Sequence, residues 1–137
     1  MNNELYIKTL KKHRLRDTKE RKKLFSILLA QESPQSVAQL VKAAREFADR
    51  STVYRTLELF EKIGISIRIY TGWKYKVELS DQYSHHHHHM LCTSCDKIIA
   101  FEESEGFLKE LLKLEQKHGF LAKSHSLELQ GLCKNCC

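Results

Sequence analysis

The sequence predicts an α+β fold in two small domains, and three observations carry that prediction. Through the first half, apolar residues recur three and four apart, the spacing of helices with one buried face. Around Gly72-Trp73 the spacing switches to alternation, with Ile65, Ile67 and Ile69 before the pair and Tyr75, Val77 and Leu79 after it, which predicts a hairpin. In the second half, five consecutive histidines, His85 to His89, lead into Cys92-x-x-Cys95, and 37 residues separate Cys95 from the first cysteine of a second pair, Cys133-x-x-Cys136. A chain of 137 residues fits one compact unit or two very small domains. Domains of ~60 to 80 residues bury little core and need a staple.

Taken in order, Glu4 to His13 reads as a short helix with Leu5, Ile7 and Leu10 as its apolar points, and Arg14 to Thr18 breaks the pattern. Asp17 with Glu20 makes a capping-box-like start for a second helix, in which Leu24, Ile27, Leu28 and Gln31 share a face until Ser33-Pro34 ends it. Ser36 caps a third helix carrying Val37, Leu40, Val41 and Ala44. A fourth begins at Asp49 or Ser51 and runs to Ile63, with Gly64 placed to terminate it. Val53, Leu57, Phe60 and Ile63 should face the core, and Thr52, Arg55, Thr56 and Glu58 should point outward with Tyr54 at the edge. Two helices, an outward-polar helix and a hairpin on a basic background follow the order of a winged helix-turn-helix. This domain is placed at residues 1–80, followed by a polar hinge at 81–84.

In the second domain, 85–137, His87 to Leu91 should be a strand, followed by the first cysteine pair and a strand from Lys97 to Phe101. Ser104 starts a helix with Phe107, Leu108, Leu111 and Leu112 on its apolar face, and Gly119 follows it. A last strand, Phe120 to Gln130, delivers Cys133 and Cys136 beside Cys92 and Cys95.

Thiolate and neutral imidazole are the donors zinc prefers, and two C-x-x-C pairs brought together supply a tetrahedron of sulfurs. Disulfides are the competing reading. The start, Met1-Asn2-Asn3-Glu4, has no secretory apolar core, and the composition is otherwise cytosolic, so metal is favoured. Cys92, Cys95, Cys133 and Cys136 are therefore expected to hold one structural zinc, with Cys137 a spare tail thiol. A histidine run can be a purification tag or a low-complexity tract, but this one is internal and leads directly into a C-x-x-C. At least two of its histidines are expected to bind metal. Alternate residues of a strand point the same way, about 6.6 to 6.8 Å apart. His87 and His89 can thus share an ion on one face, and His86 and His88 another on the opposite face.

The net charge of +6 is uneven. Residues 1–80 carry 17 Lys/Arg against 9 Asp/Glu, a net +8, whereas 81–137 carry 6 against 8, a net −2. A basic first half suggests a polyanionic partner. The outward face of the fourth helix, Ser51, Thr52, Tyr54 and Arg55, has the donors needed for phosphates and base edges. No run approaches the ~18 apolar residues of a membrane span, so a soluble cytoplasmic protein is expected.

Five segments together resemble the ferric uptake regulator family of metal-dependent bacterial repressors: Leu15-Arg16-Asp17-Thr18 with Arg21, Ser51 to Glu58, His86 to Cys95, His118-Gly119-Phe120, and His125 to Cys133. The resemblance covers nearly the whole chain. It implies a winged-helix domain, an α/β dimerisation domain, and a homodimer that binds a double-stranded DNA operator under control of a divalent metal. Arg16 looks like the family's basic residue that reaches the minor groove, and Tyr54 and Arg55 look like its major-groove readers; Lys19, Arg21, Ser51 and Thr52 complete the expected DNA-facing set. The four cysteines match the structural zinc ligands. Glu78, His87 and His89 match part of a regulatory site between the domains, and His86, His88 and His125 match a second site inside the dimerisation domain.

The chain departs from the family pattern in several places. The usual N-domain histidine is replaced in the Ser33-Pro34-Gln35 region, Ala100 stands where a carboxylate is common, and Asp96 where a glycine is. The helix glutamate of the second site falls near Phe107, leaving Glu102, Glu103 or Glu105 as substitutes, and Glu105 is taken as the ligand. The corepressor is expected to be Fe(2+), Zn(2+), Mn(2+) or Ni(2+), since His-rich sets with a carboxylate suit all four.

A metal-responsive repressor is the function these features imply. A peroxide-sensing regulator of the same family is the alternative, ranked lower because Ala100 removes a carboxylate of that design. A His-rich storage or chaperone protein leaves the Ser51 to Glu58 helix unexplained. A zinc hydrolase or deaminase needs an open zinc position and a catalytic glutamate, yet no proline precedes Cys92 and no glutamate lies in the histidine run. No enzymatic activity, small-molecule substrate or membrane partner is expected.

Overall fold

A computed structural model describes residues 2–137, and its contacts gather into two compact units, Met1–His85 and His86–Cys137. The first contains α1 (Asn2–Lys12), α2 (Lys19–Ala30), α3 (Val37–Ala44), α4 (Arg50–Lys62) and the antiparallel pair β1 (Ser66–Thr71) and β2 (Lys74–Leu79). This is the expected winged-helix order. Local chemistry explains the breaks. Arg14 enters the left-handed region at φ 56° and Leu15 N–H reaches back to the Leu10 carbonyl, so α1 stops. The α2 cap is Thr18, whose hydroxyl accepts from Arg21 N–H; Asp17, expected in that role, instead accepts from the Tyr6 hydroxyl at 2.9 Å. Ser36 and Gln39 form a full capping box on α3, and Asp49 caps α4 by accepting from Thr52 N–H at 2.8 Å.

The core of this unit joins all four helices to the hairpin. Leu24, Phe25, Leu40, Val53, Phe60 and Ile65 are each 0–1% exposed, and Tyr6 stacks on Phe25 with ring centroids 4.3 Å apart. Burial together with the Asp17 contact raises the Tyr6 phenol above its ordinary range. Gln35 exchanges both backbone hydrogen bonds with Val77, which ties the turn before α3 to β2. Two expectations change here. Thr56 is buried, because its hydroxyl bonds the Thr52 carbonyl of its own helix at 2.7 Å and so carries no unmet polar group inward. The segment 81–84, read as a hinge, belongs to the first unit: Tyr83 is 2% exposed, meets Phe25 edge-on and bonds the Thr9 hydroxyl at 2.7 Å.

The second unit is a three-stranded sheet of order β4-β3-β5 with one helix. β3 (His88–Cys92) runs antiparallel to β4 (Ile98–Phe101) and parallel to β5 (Glu128–Gly131). Between them lies α5 (Glu105–His118), capped by Ser104 and ended by left-handed Gly119. The expected strand from Phe120 to Gln130 shortens to β5: residues 120–127 join no ladder, and Phe120 and Leu121 are 68% and 82% exposed. No described helix is long and apolar enough to cross a membrane.

Candidate metal centres and nucleic-acid face

The parallel pairing of β3 with β5 decides the cysteine geometry. Cys92 lies opposite Gly131, so the turn after β5 returns Cys133 and Cys136 to the turn that carries Cys95. The ligand sulfurs of all four lie within 4.8 Å of one another, and Cys95 Sγ is 3.7 Å from Cys133 Sγ. That spacing is far beyond the ~2.05 Å of a disulfide. It matches the edge of about 3.8 Å for four sulfurs at 2.3 Å around zinc. Cys133 N–H donates to Cys92 Sγ at 3.3 Å and, with further backbone donors, lowers that thiol to about 6. Cys95 receives a backbone N–H from Lys97, yet the neighbouring Cys92 and Cys133 sulfurs push it above the usual thiol range. Cys136 is eased by the Ser94 hydroxyl but driven up to about 12 by the same crowding. Four thiolates cannot coexist here without a cation, and zinc supplies one.

The histidine run divides by alternation. His86 and His88 have ring centroids 4.7 Å apart, and His87 and His89 4.8 Å apart. On the first face, His86 Nε2 lies 3.1 Å from His125 Nε2, and Glu103 approaches all three rings: 2.9 Å from His88 Nε2, 3.2 Å from His125 and 3.6 Å from His86. These distances bracket the ~3.4 Å edge of a tetrahedron of nitrogen and oxygen donors at about 2.1 Å. His88 is 2% exposed, and its Nε2 makes no aligned hydrogen bond despite the nearby carboxylate. Such an arrangement, with three rings and a carboxylate converging on one point, fits a divalent ion. Glu103 is held below the ordinary carboxylate range by its own backbone N–H, then by the His88, His86 and His125 rings.

Glu103 therefore replaces Glu105 in this set. Glu105 opens α5 and is exposed, whereas Glu103 sits in the turn before the cap and reaches inward. Of the remaining predicted ligands, His87 and His89 share the opposite face of the same segment, and Glu78 lies on β2 of the first unit.

The predicted DNA-facing residues all lie in the first unit. Tyr54 and Arg55 are exposed on α4, one turn from its Asp49 cap, with Ser51 exposed and Thr52 half-buried beside it. Arg50, which the sequence reading passed over, places its guanidinium 5.6 Å from the Tyr54 ring centre. Arg16 and Lys19 are exposed around the start of α2, and Arg21 donates to the Arg16 carbonyl at 2.6 Å, fixing that loop.

The sequence pattern of the Ferric uptake regulator family matches residues 12–130. The chain belongs to the ferric uptake regulator family. Among members of this family, the ferric uptake regulation protein of Campylobacter jejuni is 33% identical over 141 aligned positions, spanning 97% of this chain and 87% of that protein. The Bordetella parapertussis protein of the same name is 34% identical over 87 residues, 63% of this chain and 60% of its own length. The Helicobacter pylori ferric uptake regulator, described with three functional metal-binding sites, superposes with a TM-score of 0.81 at 24% identity, covering 98% of this chain and 91% of that one. At that identity the likeness shows the fold. As in its family, this chain combines a winged-helix unit with a unit whose Cys and His/Glu clusters fit a structural zinc and a second divalent metal.

Proposed function

We propose that this member of the ferric uptake regulator family is a cytoplasmic, homodimeric repressor, not an enzyme, that binds a double-stranded DNA operator when loaded with a divalent corepressor. The observation that carries this reading is the outward presentation of Tyr54 and Arg55 on α4 of a basic winged-helix unit, in the same chain as two clusters of four metal-binding side chains. Cys92, Cys95, Cys133 and Cys136 hold structural zinc; His86, His88, Glu103 and His125 hold a further ion. Glu78, His87 and His89, assigned by resemblance, serve the regulatory ion, which supplies positive charge that stabilises one conformer over another. A ligand shifts such an equilibrium only through its differential affinity for the two states. Arg16 serves the minor groove, Tyr54 and Arg55 the major groove, and Lys19, Arg21, Ser51 and Thr52 the phosphates.

The test is binding of a labelled duplex, selected by the full chain from a randomised library, with and without added Fe(2+), Zn(2+), Mn(2+) or Ni(2+). Affinity should rise with at least one of these ions, and His87→Ala with His89→Ala should remove the rise while the four-cysteine zinc stays. Arg55→Ala should cost ~1 to 3 kcal/mol on the selected duplex and little on a scrambled one. Metal-independent binding, or none to any duplex, would reject the proposal.

A further inference from the structure

Between the end of β2 at Leu79 and the histidine run, the chain forms no strand or helix, yet it is held at several points. Ser80 N–H donates to the Ile65 carbonyl at 2.9 Å and its hydroxyl to the Gly64 carbonyl at 2.7 Å, which seats the segment on the turn that ends α4. Tyr83 N–H returns to the Ser80 carbonyl at 2.9 Å and closes a turn of its own. Asp81, Gln82, Ser84 and His85 are exposed, whereas Tyr83 among them is buried.

Two helices hold that ring. On α1, the Asn2 amide donates to the Tyr83 carbonyl at 3.0 Å. The Thr9 hydroxyl gives its single proton to the Leu5 carbonyl at 2.9 Å, so toward the Tyr83 hydroxyl, 2.7 Å away, it can only accept. On α2, Phe25 meets the Tyr83 ring edge-on with centroids 5.6 Å apart. Phe25 in turn stacks on Tyr6, and the Tyr6 hydroxyl donates to Asp17, the neighbour of Arg16 in the loop before α2. Packed rings and hydrogen bonds thus run without a gap from Tyr83 to that loop, while Ser80 ties the same turn to the end of α4. Only Ser84 and His85 separate Tyr83 from His86.

We infer that Tyr83 is a positioning residue for the metal response: it clamps the last turn before the histidines to α1 and α2, so that a constraint placed on the histidine run reaches α4 and the Arg16 loop through a rigid body. An ion changes DNA affinity only by favouring one arrangement of the chain over another. Slack between the ion and the reading helix lets either arrangement coexist with either ion state, and the preference is lost. Contacts packed on both sides preserve it. Tyr83 therefore sets the ratio of the affinities with and without ion, and not the affinity of the ion-free chain. The inference rests on the regulatory role of His87 and His89 proposed above.

The quantity to measure is the metal response: Kd for the library-selected duplex without added ion, divided by Kd with it, on the full zinc-loaded chain. Coupling between two sites ordinarily amounts to about 5- to 150-fold. Tyr83→Ala should cut the response at least about fivefold while the ion-free Kd stays within about twofold of the parent. Tyr83→Phe, which keeps the ring against Phe25, should retain most of the response. A purely structural role would lower thermal stability and shift both Kd values together, leaving their ratio alone. Should Tyr83→Ala fail to fold, Gly-Gly inserted between Ser84 and His85 leaves the Tyr83 contacts in place and should cause the same loss by adding slack beyond them. A folded Tyr83→Ala chain with the parent's response overturns the inference, and so does an inserted chain with that response. A parent chain that binds duplex with no metal response removes the regulatory reading, and the inference with it.

Discussion

At the scale of single residues, two carboxylates two positions apart have different fates. Ser104 takes the extended conformation of a helix cap, so Glu105 enters the first turn of α5 and meets solvent, while Glu103 lies ahead of the cap and turns toward the histidines. Its oxygens sit 2.9 to 3.6 Å from three ring nitrogens. Without a cation, a carboxylate among neutral rings gains one or two hydrogen bonds; with a divalent ion it becomes a charged ligand. Glu103→Gln should therefore weaken the ion held by His86, His88 and His125 by more than the roughly 10- to 100-fold that loss of an outer partner costs. Equilibrium dialysis with metal analysis checks this. Glu105→Gln should leave the stoichiometry unchanged, and loss of the ion from Glu105→Gln with retention in Glu103→Gln would restore the sequence-based assignment.

At the scale of elements, caps and core faces were legible because each rests on a local rule. Ser36 with Gln39, Asp49 ahead of α4, and Gly119 after α5 each announce a helix end by side-chain chemistry alone. Ser36→Ala should cost about 1 kcal/mol, and Phe60→Ala, removing a fully buried ring, about 3–5 kcal/mol, both read from urea unfolding of the zinc-loaded chain. Equal losses would mean that α3 is anchored by its cap as strongly as α4 is by its core. What stayed illegible depends on contacts distant in sequence or on which way a turn faces. Thr56 reads as an outward polar residue, yet a hydrogen bond to its own helix lets it be buried. Tyr83 lies in a polar stretch, and only its meeting with Thr9 and Phe25, more than 55 positions away, makes it core. Residues 120–127 contain apolar side chains enough for a strand but find no neighbour with which to pair. Cysteine spacing, by contrast, was legible as a site because zinc chemistry constrains it independently of the strands that deliver it.

At the scale of the whole molecule, the second unit carries an exposed apolar face on α5. None of the 14 residues of α5 is fully buried, and Leu108, Leu112 and Leu114 are 40%, 56% and 53% exposed. With Leu111 and Phe120 they line a groove of about 770 Å³. Leu108 and Leu112 are one helical turn apart, so a second chain docking there meets a continuous ridge. A two-fold pair is the commonest symmetric solution, and a winged-helix dimer reads two half-sites related by the same axis. If the proposed homodimer forms through this ridge, Leu112→Asp should place a charge in it and leave the chain monomeric at micromolar concentration in sedimentation velocity, while zinc content stays at one per chain on the four cysteines. Each monomer keeps α4 intact but presents one reading head instead of two. Affinity for a palindromic duplex should then fall far more than affinity for a single half-site. A Leu112→Asp chain that remains dimeric with its zinc in place would move the interface elsewhere, to the exposed edge of β5 as the next surface to test.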